Sequence, residues 1–116
     1  MKSHRETYLF ERYPVFDKSH VLFEFGFDCG DGWYLLILDL GNKLTSLKFD
    51  GLRVVCVKEK LGGLDVNIEH KDPRNASLIE DIARDYRAKS FRVCERCGSQ
   101  KEPLEDHCKP MNPTHQ

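Results

Sequence analysis

No stretch of the 116-residue chain approaches the roughly 20 consecutive apolar residues that a membrane-spanning helix needs, so no membrane role is expected. The first sixteen residues, MKSHRETYLFERYPVF, carry neither an apolar core nor a small-residue cleavage site of the secretory kind. A cytoplasmic protein is predicted. A dominant charge is missing too: 18 Lys and Arg against 19 Asp and Glu leave a formal net charge of -1. That excludes a uniformly basic nucleic-acid binder and a polyanionic mimic of DNA. Apolar residues make up only 40% of the chain against 32% charged, with a mean hydropathy of -0.56. A core of modest size is expected, to which a metal or a partner would add stability. Cysteine is the residue in excess. Five is an odd number that fits poorly with a closed set of disulfides, and a CxxC pair in a reducing compartment points to metal or redox chemistry.

The length is that of one domain. It divides into an N-terminal arm at 1–20, an α+β core at 21–91, and a zinc knuckle with its tail at 92–116. Pro14 interrupts the arm, which reads as a short helical turn and a connector. VLFEFGF at 21–27 reads as an extended segment closed by the small polar cluster at 28–32. Trp33, Ile37, Leu40, Leu44 and Leu47 then recur every three or four positions, which predicts a helix with Asp31 as its N-cap. A buried strand at 34–40 is the competing reading, since YLLILDL is nearly all apolar and Gly41 costs a helix about 1 kcal/mol relative to Ala. The helix is favoured.

LRVVCVKEK at 52–60 and LDVNIEH at 64–70 are β-rich runs around Leu61, Gly62 and Gly63, and the Gly62-Gly63 pair is read as the tight turn of a hairpin. Asp72-Pro73 ends the sheet. A second helix follows, capped by Asn75 or Ser77 and running to about Lys89, with Ile79, Ile82, Ala83 and Tyr86 as its apolar stripe. The fold class is α+β: an antiparallel hairpin or a small three-stranded sheet packed with two helices, finished by a C-terminal zinc knuckle.

Cys94-Glu95-Arg96-Cys97-Gly98 has the form of a zinc-knuckle half-site. Two thiolates three positions apart can reach one tetrahedral ion, and the glycine lets backbone amides turn toward the sulfurs. Cys108 is the third candidate ligand and His115 the fourth, with His107 as the alternative, since ligands adjacent at 107 and 108 are geometrically awkward. Cys29 is a further candidate far upstream. Four protein ligands leave no open position, so Zn2+ would be structural. Two other readings stand beside zinc: a redox pair and unmetallated surface thiols. The motif follows a helix instead of opening one, so it lacks the N-terminal field that activates a redox thiol.

Cys29-Gly30-Asp31-Gly32-Trp33 reads first as a structural turn, in which Asp31 caps, Gly32 supplies backbone freedom and Trp33 anchors the helix. Its catalytic alternative uses Asp28, Asp31 or Cys29, the last needing a histidine nearby. His20, His70 and His107 are available. Net charge conceals an asymmetry. Residues 21–42 hold four acids and no base, whereas 84–101 hold six bases and two acids around the cysteines. Arg84, Arg87, Lys89, Arg92 and Arg96, with Lys58 and Lys60 near the hairpin tip, form the candidate binding surface for an acidic partner or a polyanion. The plainer reading of such charges is a solvated face.

CGDGWYLLILDL at 29–40, VCVKEKLGGLDV at 55–66 and AKSFRVCERCGS at 88–99 together resemble a family of small proteins common in phages and prophage-bearing bacterial genomes. The family pattern runs CGDGW, a helix, VKEKFGGL, and a helix ending in CxxCG, often with a further Cys and His downstream. The resemblance covers roughly residues 8–108, with Leu61 where the family carries Phe. It implies phage origin, a bacterial host cytoplasm and bound zinc, and it brings no activity to transfer. The expected function is a non-enzymatic, zinc-stabilised accessory protein that engages and inhibits a host protein complex of defence or transcription. The alternatives are a nucleic-acid-binding regulator using Arg84, Arg87, Arg92 and Arg96, and a small hydrolase or nuclease using the CGDGW turn.

Overall fold

The computed structural model describes residues 1–103. The chain runs α1 (Ser3–Arg12), a 3-10 turn (Val21–Phe23), a second 3-10 turn (Asp31–Trp33) leading into α2 (Tyr34–Leu47), β1 (Arg53–Lys60), β2 (Gly63–Glu69), a 3-10 turn (Pro73–Asn75) and α3 (Ala76–Ser90). The class is α+β, with one antiparallel pair of strands and three helices among the described residues.

The helix expected after Trp33 is present and the competing strand is not. Its inward stripe is Ile37, Leu40 and Leu44, all fully buried. Gly41 is tolerated because α2 crosses tightly over the N-terminal segment: a Cβ there would press on the Tyr13 and Phe16 rings. Leu47 ends the helix as Lys48 takes the left-handed conformation, φ 54°.

Residues 1–20 are not a loose arm. Three turns of α1 form before Pro14, whose ring disfavours helical geometry at Tyr13 and so ends the helix there. Leu9, Tyr13 and Phe16 then enter the same buried cluster as Trp33, Ile37, Val57 and Tyr86. The segment 21–27 is likewise not extended. His20 Nδ1 accepts the Leu22 amide at 3.1 Å and starts a 3-10 turn. Phe23 and Phe27 drop into contact with Phe10, their ring centroids about 5 Å away. Val21 and Phe25 are left 75% and 83% exposed.

The hairpin forms, with its turn one residue earlier than expected. Lys60 pairs with Gly63, and the two-residue loop is Leu61-Gly62, at φ 54° and 85°, the type I′ pattern. Gly63 belongs to β2 instead, where Phe91 and Arg87 pack so closely that a Cβ would strike the Phe91 ring. A bulge at Val55 breaks the alternation in β1, so Val54, Val55 and Val57 are all buried. No third strand forms among the described residues. The outer edge of β1 is met at two single parallel bridges, Phe16 to Val54 and Asp28 to Lys58. On the other side α3 clamps β2: buried Ser90 Oγ accepts the Leu64 amide at 2.8 Å, and the Arg87 guanidinium donates to the Leu64 and Lys60 carbonyls.

α3 begins at Ala76, with Asn75 at the N-cap position but making no side-chain cap. Asp72 caps the preceding 3-10 turn by accepting the Arg74 amide at 2.9 Å. Ile79, Ile82 and Tyr86 are buried as the stripe requires, while Ala83 is half-buried.

Leu61 is 86% exposed, so its side chain contributes nothing to packing at a left-handed position that costs an L-residue about 1 kcal/mol. Leu61→Asn, which supplies the preferred Asn-Gly turn, is expected to raise unfolding free energy by about that amount in urea titration. A loss of stability would contradict the turn geometry.

Candidate metal centre

After α3 the chain reverses sharply. Val93 bridges antiparallel to Gln100, the Cys94 amide donates to the Ser99 carbonyl at 2.7 Å, and the Gly98 amide donates back to the Cys94 carbonyl at 2.8 Å. Gly98, at φ 82°, makes the reversal. Cys94 and Cys97 therefore sit on one tight turn, Cys94 fully buried and Cys97 exposed. The donor chemistry fits a thiophilic ion such as zinc. Cys108, His115 and His107 lie outside the described residues. Within them, no three Cys, His, Asp or Glu side chains converge on a metal-sized site. Cys29, the upstream candidate, is thus not brought in as a third ligand.

The side of this turn carrying Val93 and Glu95 is held against the rest of the fold. It is seated on the CGDGW turn some sixty residues earlier. The Gly32 amide donates to the Glu95 carbonyl at 2.6 Å, the Gly30 amide donates to Glu95 Oε2 at 2.7 Å, and Trp33 Nε1 donates to the Val93 carbonyl at 3.0 Å. The approach is close enough that a Cβ on Gly32 would overlap the Cys94 carbonyl oxygen, and one on Gly30 the Glu95 carbonyl oxygen. Glycine at 30 and 32 is therefore a requirement of backbone contact, and not of an unusual turn angle. Trp33 anchors as expected, fully buried.

Asp31 does not cap α2. Neither the 3-10 turn nor the helix after it has a side-chain cap. Its carboxylate instead accepts the Lys2 amide at 2.8 Å, with Lys2 Nζ and Arg5 Nη1 each 3.9 Å away. The Lys2 amide and these cations hold its pKa below the usual carboxylate range. Cys29 is buried in the core, and its thiol is pushed up to about 12 by desolvation and by the Glu95 carboxylate. A thiol so raised is a poor nucleophile. Of the histidines named as possible partners, the two within the described residues are engaged elsewhere: His20 caps its own turn and faces Glu69 at 3.8 Å, and His70 Nδ1 pairs with the Asp72 carbonyl. An open cleft of about 580 Å³ lies beside the knuckle, lined by Arg5, Asp31, Tyr34, Asp39, Val93 and Cys97 among others. Its two acids are occupied, Asp31 as above and Asp39 by the Tyr86 hydroxyl.

The basic residues divide. Arg84 pairs with Asp81 and Lys89 with Asp85 along α3, and Arg87 is spent on the hairpin clamp while stacking on Phe91. Lys58 is half-buried in β1, and Lys60 is exposed at its end. Arg92 and Arg96 lie beside Cys94 and Cys97 in the chain, both exposed. Sequence reasoning missed Glu95, whose carbonyl and carboxylate both hold the CGDGW turn. Its only outward sign is its place between the two cysteines.

Three outcomes follow from this geometry. Gly32→Ala is expected to lower stability by about 1–3 kcal/mol in denaturant titration, because neither backbone can yield. In native protein at pH 8, Cys29 is expected to escape iodoacetamide as read by peptide mass spectrometry. Its proton is retained in the fold up to about pH 12 but lost above its ordinary 9.0 when unfolded. Stability therefore falls as pH rises through that window, and Cys29→Ala should flatten this fall.

No protein-family model, no curated protein and no solved structure matches the chain.

Proposed function

We propose that the chain is a zinc-stabilised binding protein without catalytic activity, a phage-type accessory protein that engages and inhibits a host protein complex. The observation that carries the reading is the use made of the CGDGW turn. Gly30, Gly32 and Trp33 bind the knuckle backbone, Asp31 is tied to Lys2 and Arg5, and Cys29 is buried with a raised pKa. The group with the strongest chemical look in the sequence is thereby committed to architecture. What remains accessible is surface. Arg92 and Arg96 border the knuckle, and Val21 and Phe25 stand out from a segment that buries Phe23 and Phe27. Large apolar side chains held outside on an ordered segment favour protein contact.

Zinc would be held by Cys94 and Cys97 together with Cys108 and His115, or His107 in place of the latter. Bound there, the ion supplies a cross-link between the knuckle and the chain that follows it, and a structural site of this kind adds directly to folding free energy. The phage connection rests on the three motif blocks at 29–40, 55–66 and 88–99.

Elemental analysis of the purified protein is expected to find one zinc per chain, and chelation to lower the melting temperature. Absence of zinc with unchanged melting under chelator would end the metal reading. For the partner, affinity capture from host lysate is expected to retain the same host complex with wild type and to lose it with Phe25→Asp or with Arg92→Glu/Arg96→Glu. Tight binding to DNA or RNA at low salt, where phosphate contacts are strongest, would favour the nucleic-acid regulator instead.

A further inference from the structure

We infer that the CGDGW turn is the preorganising seat of the Cys94–Cys97 metal half-site and that Glu95 is its positioning residue, holding the thiol pair in knuckle form before any metal arrives. This rests on the metal reading proposed above. Knuckles of two Cys on an isolated loop are ordered by the ion they bind, so part of the binding free energy goes into folding. Here the turn carries other constraints. Its own backbone bonds among the described residues include those between Cys94 and the pair Ser99 and Gly98. Three more come from outside: Gly32 to the Glu95 carbonyl, Gly30 to the Glu95 carboxylate, and the Trp33 indole to the Val93 carbonyl. These outside bonds fall on Val93 and Glu95, the two residues on either side of Cys94. They originate in a turn fixed at the start of α2 by fully buried Trp33. Gly98 completes the fit from the other side, close to the Gly32 carbonyl.

Outer-shell partners of a metal ligand commonly contribute 10- to 100-fold in affinity by orienting it. In this chain the described part of that outer shell is largely backbone, and the Glu95 side chain both belongs to the turn and reaches across to the seat. The coupling runs in both directions. A metal bound at Cys94 and Cys97 would tighten the bonds to Gly30, Gly32 and Trp33, and so reach α2 in the middle of the fold. Trp33 is the single tryptophan, which makes its indole N–H a reporter placed one residue from Cys94 through Val93.

The test uses the full chain, with zinc affinity measured by competition against a chromophoric chelator. Glu95→Ala is expected to weaken zinc binding by about 10- to 100-fold, while circular dichroism of the metal-free variant shows unchanged helix content. Glu95→Gln keeps an oxygen able to accept the Gly30 amide and should stay within a few-fold of wild type. If Glu95→Gln falls as far as Glu95→Ala, the effect is one of charge and the positioning role is overturned. Wild-type affinity in a folded Glu95→Ala overturns it as well. On zinc addition to wild type, the Trp33 indole proton resonance is expected to shift, and an unmoved resonance refutes the coupling. A Cys97→Ser control separates the two ideas. If wild type binds no zinc, or Cys97→Ser binds it as tightly as wild type, the metal reading fails and takes this inference with it. If only the Glu95 variants behave unexpectedly, the metal reading stands and the seat does not.

Discussion

The hydrogen bond from the Gly32 amide to the Glu95 carbonyl, 2.6 Å long, is the contact on which the organisation of this small protein turns. It joins the start of α2 to the reversal after α3, and both backbones come so near that neither partner has room for a side chain at Gly30 or Gly32. Around it the other constraints fall into place. Trp33 is directed into the core while its indole N–H is satisfied by Val93, so a large aromatic is buried without stranding a polar group. The same turn ties α1 down, since Asp31 receives the Lys2 amide. In a chain whose apolar content allows only a modest core, a lock made of backbone gains specificity without needing more hydrophobic volume.

This arrangement redistributes roles among residues that look reactive in isolation. A turn of sequence Cys-Gly-Asp-Gly-Trp carries a thiol, a carboxylate and two flexible positions, yet each is absorbed by structure: the thiol by desolvation, the carboxylate by Lys2 and Arg5, the glycines by close approach. The basic cluster thins in the same way. Arg87, conspicuous in a charge count, is bound to strand carbonyls at the hairpin end, and Arg84 and Lys89 are balanced by acids on their own helix. Such exposed pairs are worth little to stability, but they reduce the positive field available to a polyanion. Arg92 and Arg96, beside Cys94 and Cys97, keep the surface character that the sequence assigns to the whole group.

Elements with strong local signals were legible in the sequence. The apolar stripe of α3, the β-branched runs flanking a glycine pair and the period of α2 each depend on neighbours within a few positions, and each appears where the spacing puts it. The departures come where distant residues decide. Asp31 passes over the helix amides for the Lys2 amide, a partner twenty-nine positions away. VLFEFGF reads as extended on β-propensity, but Phe23 and Phe27 gain more by meeting Phe10 and Phe16 than by alternating along a strand. The hairpin turn shifts to Leu61-Gly62 because Gly63 is needed beneath Phe91.

By itself, then, the sequence determined the α+β class and the positions of α2, α3 and the hairpin, because these follow from periodicity and from spacing along one stretch of chain. Only the tertiary structure decided what CGDGW is for. Nothing local distinguishes a glycine that bends the chain from one that makes room for another chain segment, and the segment in question, Val93 to Cys97, is some sixty residues away and meets the turn beside the buried Trp33.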